Sequence, residues 1–93
     1  MLESVLFRRR DTAEALFADA LAEALELLRN APGYLAHQTG PCVEIEGDFL
    51  LLIWWRSLRD HLEGFRQSPD YFQWRNLLDP HVQLGMAVRH YAV

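Results

Sequence analysis

The stretch FLLLIWW, which runs from Phe49 to Trp55, decides the fold. It is the longest apolar run of the chain, and its length suits a β-strand. Side chains alternate between the two faces of a strand. One face would carry Phe49, Leu51, Ile53 and Trp55, and the other would carry Leu50, Leu52 and Trp54. Because both faces are apolar, this strand predicts a sheet that is covered on both sides.

The residues before this strand predict a first strand and an amphipathic helix. Leu2 to Arg8 combine β-branched, aromatic and aliphatic side chains over the length of a strand. Asp11 followed by Glu14 resembles a capping box, in which the first side chain accepts hydrogen bonds from N–H groups of the first turn. From 13 to 28 apolar residues recur at steps of three and four, which is typical of a helix with one buried face.

A β-hairpin is predicted around the apolar strand. Tyr34 to Thr39 and Val43 to Glu46 are expected to form strand two. Gly40-Pro41 would be a bend or bulge inside it, because proline cannot donate to a central ladder. Gly47-Asp48 would then make the tight turn into strand three.

The remaining residues predict a broken second helix and a last strand. Ser57 with Asp60 is expected to start the helix, and Ser68-Pro69 to restart it in a new direction, since proline is tolerated at a helix's first position. The last strand is expected from Val82 to Val93. This order predicts one α+β domain spanning 1–93, a ferredoxin-like βαββαβ sandwich with a four-stranded antiparallel sheet.

The second apolar face of strand three predicts self-association. Two helices can cover only one face of a four-stranded sheet. The other face would expose a large apolar patch, which monomers seldom tolerate. We therefore expect the chain to pair with itself as a homodimer.

Composition limits the classes of partner. Nine basic residues stand against thirteen acidic ones, for a net charge of −4, and this balance argues against nucleic-acid binding. The longest apolar run is far below the ~20 residues that a membrane-spanning helix needs. A single cysteine, Cys42, and the absence of a signal-peptide pattern lead us to expect a cytoplasmic protein with no membrane partner.

Several motifs together resemble the antibiotic biosynthesis monooxygenase family. They are Pro32-Gly33-Tyr34-Leu35-Ala36-His37, Trp54-Trp55-Arg56-Ser57 and Gln67-Ser68-Pro69. The resemblance extends from Arg8 to the end of the chain. Members of the family are dimeric α/β barrels built from two ferredoxin-like protomers, so the resemblance implies the same assembly here.

The resemblance also implies a range of activities. Family members oxidise quinol or phenol substrates with O₂ and no cofactor, break down haem, or have no demonstrated catalysis. The haem-degrading branch carries an Asn on strand one and a Trp on the second helix, where this chain has Phe7 and Gly64. We therefore expect a cofactor-independent monooxygenase that acts on a small aromatic or quinol-like molecule, with no bound metal or flavin.

Such chemistry needs an apolar pocket, a base and shelter from water. Histidine titrates near neutrality and could supply the base, and Trp55 matches the family's Trp at the end of strand three. The candidate catalytic residues are His37, Trp55, His61 and His90. The candidate substrate-binding residues are Trp54, Phe65, Tyr71, Phe72 and Trp74. The histidines lack metal-binding spacing, so no metal site is expected.

Two other interpretations stay open. For each candidate side chain, core packing or a structural hydrogen bond is the competing explanation. A non-catalytic dimeric barrel that binds a hydrophobic metabolite would be favoured by a sheet interior that is apolar and lacks a charged base. A purely structural partner domain would have no pocket larger than a few waters.

Overall fold

In the computed structural model, which describes residues 1–11, 13–83 and 87–93, the apolar strand lies inside a four-stranded sheet. In chain order the elements are β1 (Leu2–Arg8), α1 (Glu14–Arg29), β2 (Tyr34–Pro41), β3 (Asp48–Trp55), a π-helical turn (Asp60–Gly64), a 3₁₀ turn (Phe65–Gln67), α2 (Pro69–Leu78) and β4 (Val88–Tyr91). The strands are antiparallel, and their order across the sheet is β2-β3-β1-β4. This arrangement confirms the predicted ferredoxin-like α+β fold.

The core lies between one face of the sheet and the helices. Leu51, Ile53 and Trp55 point into it from β3 and are at most 2% exposed. From α1, Phe17 and Leu28 are buried against them. Burying a large apolar side chain contributes roughly 1.5–3 kcal/mol. The inner face of β3 therefore supplies a large share of the fold's stability.

The opposite face of the sheet is also apolar, and no element of the described chain covers it. Leu50 is 42% exposed and Leu6 is 38% exposed, although both lie on central strands. Leu52 and Trp54 are half-buried beside them, and Tyr91 of β4 is 48% exposed. We call these five residues the outer face. The alternation predicted for the apolar strand is thus confirmed.

Helix α1 begins later than the capping box predicted. Its N-cap is Ala13, and no side chain caps it, so the prediction for Asp11 is wrong. The Arg10 N–H still donates to the carbonyl of His81, 2.8 Å away, so the chain leaves the sheet too late for Asp11 to cap the helix.

Within the described residues, no helix is long and apolar enough to span a membrane.

Strand two also ends earlier than predicted. β2 stops at Pro41, and residues 43–46 form a loop instead of a continued strand. The Cys42 N–H donates to the carbonyl of Asp48 at 2.8 Å, and the Asp48 N–H donates to that of Ile45 at 3.2 Å. These bonds close the hairpin directly after Pro41. The irregularity in β2 lies between Tyr34 and Ala36, not at the proline.

The last strand is shorter than predicted. β4 is confined to Val88–Tyr91 and pairs with β1 at the edge of the sheet. Val82 forms only an isolated bridge with Arg9. The predicted strand is therefore wrong after Tyr91, and between Val82 and Val88 it cannot be compared along its whole length, because residues 84–86 lie outside the described part of the chain.

The turn before β2 requires glycine. Gly33 has φ +84°, and a Cβ atom at this position would lie 2.4 Å from Cγ of Asp60. The Arg56 N–H donates to the Gly33 carbonyl at 2.7 Å. Asp60 in turn donates its N–H to Oγ of Ser57 at 3.1 Å, which confirms the predicted helix start. The turn is therefore packed against the beginning of the segment that enters the core next.

Candidate functional site

The inner face of β1 carries an acid among apolar residues. Glu3, Val5 and Phe7 alternate on this face, and all three are buried, with Glu3 only 4% exposed. Val5 and Phe7 belong to the core. The strand therefore holds a carboxyl group inside the space between sheet and helices.

Two histidines extend from this carboxyl group in a row. Glu3 Oε2 lies 3.3 Å from Nε2 of His61, and Nδ1 of His61 lies 2.9 Å from Nε2 of His90. The indole N–H of Trp55 donates to Oε1 of Glu3 at 2.9 Å. The Trp55 and His61 rings are stacked with centroids 5.2 Å apart. We call Glu3, His61 and His90 the acid–imidazole cluster.

Three separate elements bring the cluster together. Glu3 lies on β1, and His90 lies directly opposite it on β4 in the strand register. His61 comes from the π-helical turn and is 3% exposed. Turns of this kind are rare and are found often at functional sites.

Burial changes the acidity of the cluster in opposite directions. It raises the pKa of Glu3 to about 7, although the Trp55 hydrogen bond and the positive charge of Arg66 oppose the shift. Burial, together with His90 and Arg66, lowers the pKa of His61 to about 4. The pKa of His90 is lowered for the same reasons, burial first and Arg66 second. At neutral pH the histidines are uncharged, and Glu3 is the group that changes protonation.

A cavity of about 140 Å³ adjoins the cluster, between the sheet and α2. Its wall includes Glu3, His61, Phe65, Arg66, Tyr71 and Trp74. The Phe65 ring meets the Tyr71 and Trp74 rings edge to face, each with centroids 5.8 Å apart. The cavity thus combines aromatic walls with a carboxyl group whose pKa lies near 7.

The structure brings together most of the residues singled out from the sequence. Trp55 and His61 contact Glu3, and His90 joins the cluster through His61. Of the residues predicted to bind substrate, Phe65, Tyr71 and Trp74 line the cavity.

Three of the predicted site residues lie elsewhere. His37 is on β2, where its Nδ1 is 2.7 Å from the Tyr34 hydroxyl, away from the cavity wall. Trp54 belongs to the outer face. Phe72 is 66% exposed on α2, on the side turned from the core.

Sequence reasoning missed Glu3 and Arg66. The interior without a charged base that would favour a non-catalytic barrel is not what the structure has, because Glu3 lies in that interior. The signal was present in β1, where Glu3 lies two residues before Val5 and four before Phe7, and so shares their buried face of the strand. Arg66 gave no such signal, since one basic residue in a turn region predicts a solvated surface; Arg66 is indeed exposed, and it also lines the cavity.

The same cluster could in principle offer a metal three ligand atoms. One donor atom each from Glu3, His61 and His90 lies within 4.8 Å of the others. His61, however, directs one ring nitrogen at each neighbour, so the donors face one another and not a common centre. This arrangement suits proton transfer along the chain better than coordination.

A second, more open groove of about 640 Å³ separates α1 from the loop after β2. Phe17, Leu21 and Leu25 form its helical side, and Val43 and Phe49 face them. Glu44 and Glu46 stand exposed at the rim. The buried acid of the groove, Asp48, accepts two hydrogen bonds from Arg8, which lower the pKa of its carboxyl group, so it is already paired and poorly suited to act as a base.

The raised pKa of Glu3 predicts that Glu3→Gln increases the stability of the fold by an amount that depends on pH. Between pH 4.5 and 7 folded Glu3 holds a proton that the unfolded chain has released, so its contribution to stability is present below pH 4.5 and lost as pH rises through about 7. Glutamine resembles the protonated form and carries no such loss. The stability of the variant relative to the native chain should therefore grow by about 3 kcal/mol over this range.

Urea unfolding of both proteins from pH 4 to 8 measures this difference. Glu63→Gln is the matched control, because Glu63 is exposed and pairs only with Arg59 among the described residues. A difference between Glu3→Gln and the native chain that stays constant from pH 4.5 to 7 contradicts the raised pKa.

Comparison of the sequence with known proteins places this geometry in context. Residues 4–77 match the model of the family described as antibiotic biosynthesis monooxygenase. The chain is 36% identical over 76 residues to the uncharacterized protein YczJ of Bacillus subtilis (strain 168), covering 82% of this chain and 80% of that protein. The family match includes His61 but stops short of Glu3 and His90, so it does not itself assign the cluster.

Solved structures share the fold over nearly the whole chain. A Bordetella bronchiseptica protein assigned to the same family superimposes with a TM-score of 0.85 at 22% identity, covering 99% of this chain and 96% of that one. SnoaB, a cofactor-independent oxygenase from Streptomyces nogalater, gives 0.83 at 12% identity, with 99% and 92% covered. Rv0793 from Mycobacterium tuberculosis gives 0.79 at 22% identity, with 99% and 92% covered. At these identities the likeness establishes the fold.

Proposed function

The chain belongs to the antibiotic biosynthesis monooxygenase family, and from this premise we propose that it is a cofactor-independent monooxygenase of a small aromatic or quinol-like substrate, with O₂ as the second substrate. The observation that carries the proposal is the cavity with aromatic walls beside a buried carboxyl group whose pKa is about 7. A general base works best when its pKa lies near the working pH. SnoaB, which has the same fold, is a cofactor-independent oxygenase.

The reaction balances without an external reductant. A phenol with a free para position can give four electrons, which is the number that O₂ requires. One oxygen atom enters the ring to form a quinone, and the other leaves as water with two protons from the substrate. The protein must then bind the ring, remove a proton and keep bulk water away from the anion.

Glu3 is the proposed base for this step. When its carboxylate is ionised, His61 can donate Nε2–H to it and accept at Nδ1 from His90, as the 3.3 Å and 2.9 Å distances allow. Once Glu3 has taken the hydroxyl proton from the substrate, each bond of the chain can reverse its direction. His61 and His90 thereby adjust to either state of Glu3 while remaining uncharged.

Trp55 acts as a positioning residue in this scheme. Its N–H holds Oε1 of Glu3 at 2.9 Å and leaves Oε2 for His61. A carboxyl group fixed in this way keeps its orientation toward the cavity, which favours proton transfer.

Oxygen consumption with a panel of phenols and quinols tests the proposal. We expect uptake of O₂ that depends on enzyme and substrate, and with ¹⁸O₂ one labelled atom should appear in the organic product. Treatment with a chelator should leave the rate unchanged. Ligand binding without any O₂ uptake across the panel would instead support the non-catalytic alternative, a barrel that holds a hydrophobic metabolite.

The outer face supports a homodimer within the same proposal. Leu6, Leu50 and Tyr91 are each between 38% and 48% exposed there, and a second copy could cover them. Pairing of the two outer faces would give the α/β barrel that is typical of the family. The partner would also cover the outer face of the sheet and so make the sheet, whose inner face borders the cavity, more rigid.

Light scattering at micromolar concentration should give twice the 10.8 kDa mass of one chain. Leu50→Glu places a charge at the centre of the outer face and should yield a folded monomer, since a buried unpaired charge strongly disfavours association. Leu16→Glu, the same change at a position of α1 that is 57% exposed, should remain dimeric. A native chain that is monomeric at this concentration overturns the dimer.

A further inference from the structure

Arg66 is a solvent-exposed cation at the cavity wall, and no described residue pairs with it. It lies on the 3₁₀ turn Phe65–Gln67 and lines the cavity together with Glu3 and His61. Among residues 1–11, 13–83 and 87–93, no side chain forms a hydrogen bond or ion pair with its guanidinium group. Arginine with its donors unused beside an aromatic cavity is suited to bind a planar anion.

The second arginine of the wall is different. Arg75 donates from Nε to Oδ1 of Asp79 at 2.9 Å and from Nη1 to the Tyr71 hydroxyl at 3.2 Å. Its charge is therefore balanced by Asp79, which also lines the cavity. Arg66 has no such counter-charge, so the cavity carries net positive charge although the whole chain carries −4.

The cluster groups whose pKa values respond to Arg66 do not neutralise its charge. His61 and His90 are uncharged at neutral pH, and Glu3 is close to half-protonated because burial raises its pKa to about 7. Arg66 lowers the pKa of all three groups, which indicates that its charge acts inside the cavity. An anionic ligand would balance the positive charge of Arg66.

The volume of the cavity limits the ligand to one ring. At about 140 Å³ it is close to the roughly 150 Å³ of an apolar cavity that accommodates benzene. The edge-to-face walls of Phe65, Tyr71 and Trp74 suit a flat ring. A fused two-ring molecule would have to extend out of the mouth of the cavity.

We propose that the substrate is a single-ring aromatic acid, of the hydroxybenzoate class, whose carboxylate is bound by Arg66. The assignment of its hydroxyl to Glu3 rests on the proposed function, whereas the carboxylate and the ring size follow from Arg66 and the cavity alone. Arg66 thus determines which aromatic molecules enter, and the acid–imidazole cluster acts on them.

Calorimetric titration under anaerobic conditions tests the proposal with three probes: 3-hydroxybenzoate, its methyl ester, and 3-hydroxy-2-naphthoate. A charge-assisted pair of this kind should make the acid bind roughly 10- to 100-fold more tightly than the ester. The naphthoate should bind more weakly than the hydroxybenzoate. Arg66→Gln should abolish the preference for the acid and leave the affinity for the ester unchanged.

Arg59→Gln is the matched control, because it removes the same charge from the same segment. Arg59 is exposed, pairs with Glu63 and does not line the cavity, so this variant should keep the full preference for the acid. Equal affinities for acid and ester in the native chain, or a preference that survives Arg66→Gln, overturn the anion site. A naphthoate that binds as tightly as the hydroxybenzoate overturns the limit to one ring.

The outcomes separate this inference from the proposed oxygenation. Tight, Arg66-dependent binding of the acid without O₂ uptake supports the anion site and overturns the monooxygenase. Oxidation of uncharged phenols with no preference for the carboxylate supports the monooxygenase and overturns the anion site.

Discussion

Glu3→Gln should lower the rate of substrate oxidation by about 10²- to 10⁴-fold, because the variant keeps the shape of the side chain and loses the base. The amide can still accept the hydrogen bond from Trp55 and remains a neutral occupant of the buried site. The far-ultraviolet circular dichroism and the oligomeric state should therefore be those of the native chain. The measurement is kcat/KM from O₂ uptake with whichever phenol or quinol the native chain oxidises.

The pH profile gives this prediction a second readout. Since a base must be ionised to act, kcat/KM of the native chain should rise with pH through about 7, the pKa of Glu3. Glu63→Gln, in an exposed pair with Arg59, should leave rate and profile unchanged. A Glu3→Gln variant that retains most of the native rate would remove Glu3 from the mechanism.

Trp55→Ala should lower the free energy of unfolding by about 3–5 kcal/mol, the range found when a fully buried aromatic residue is truncated. Trp55 is 0% exposed, and its ring packs between His61 and Phe65. The indole N–H also satisfies Oε1 of Glu3. The variant would thus lose both the packing of the core and the partner of a buried carboxyl group.

Trp55→Phe separates these two contributions. It keeps a ring in the core but leaves Oε1 of Glu3 without its donor, which should cost about 1–3 kcal/mol. Trp54→Phe makes the same change on the outer face, where the ring is half-buried, and should cost less. Urea unfolding at a fixed protein concentration measures all three variants. If Trp55→Phe is as stable as Trp54→Phe, the hydrogen bond to Glu3 does not contribute.

The strand pattern of this chain could be predicted because one segment carries most of the information. The alternation in FLLLIWW defines a buried face and an outer face, and the structure has both. The exact ends of the helices and strands depend on tertiary hydrogen bonds, which a local sequence pattern does not reveal. The Arg10 N–H bond to His81 delays α1, and the Cys42 N–H bond to Asp48 ends β2.

The site could be predicted only in part, for a similar reason. Histidine and tryptophan attracted attention as residue types, and three of them lie together at the site, Trp55 and His61 against Glu3 and His90 against His61. Glu3 comes from β1, far away in sequence, so no spacing motif connects it with them. A carboxylate at an inward position of a strand is the signal that could have found Glu3. Arg66 became visible only when its lack of a partner and its place at the cavity were known.

Strand β4 has four residues and pairs only with β1, yet it holds His90 against His61. Short edge strands separate from a sheet at a lower free-energy cost than central strands do. Transient fraying of this edge would expose the partly buried imidazole of His90 further to water, while Trp55, on a central strand, stays in place. The proton that Glu3 acquires in each turnover would then leave to solvent through His61 and His90 at the edge of the sheet. The cavity that shields the reacting ring from water would not have to open.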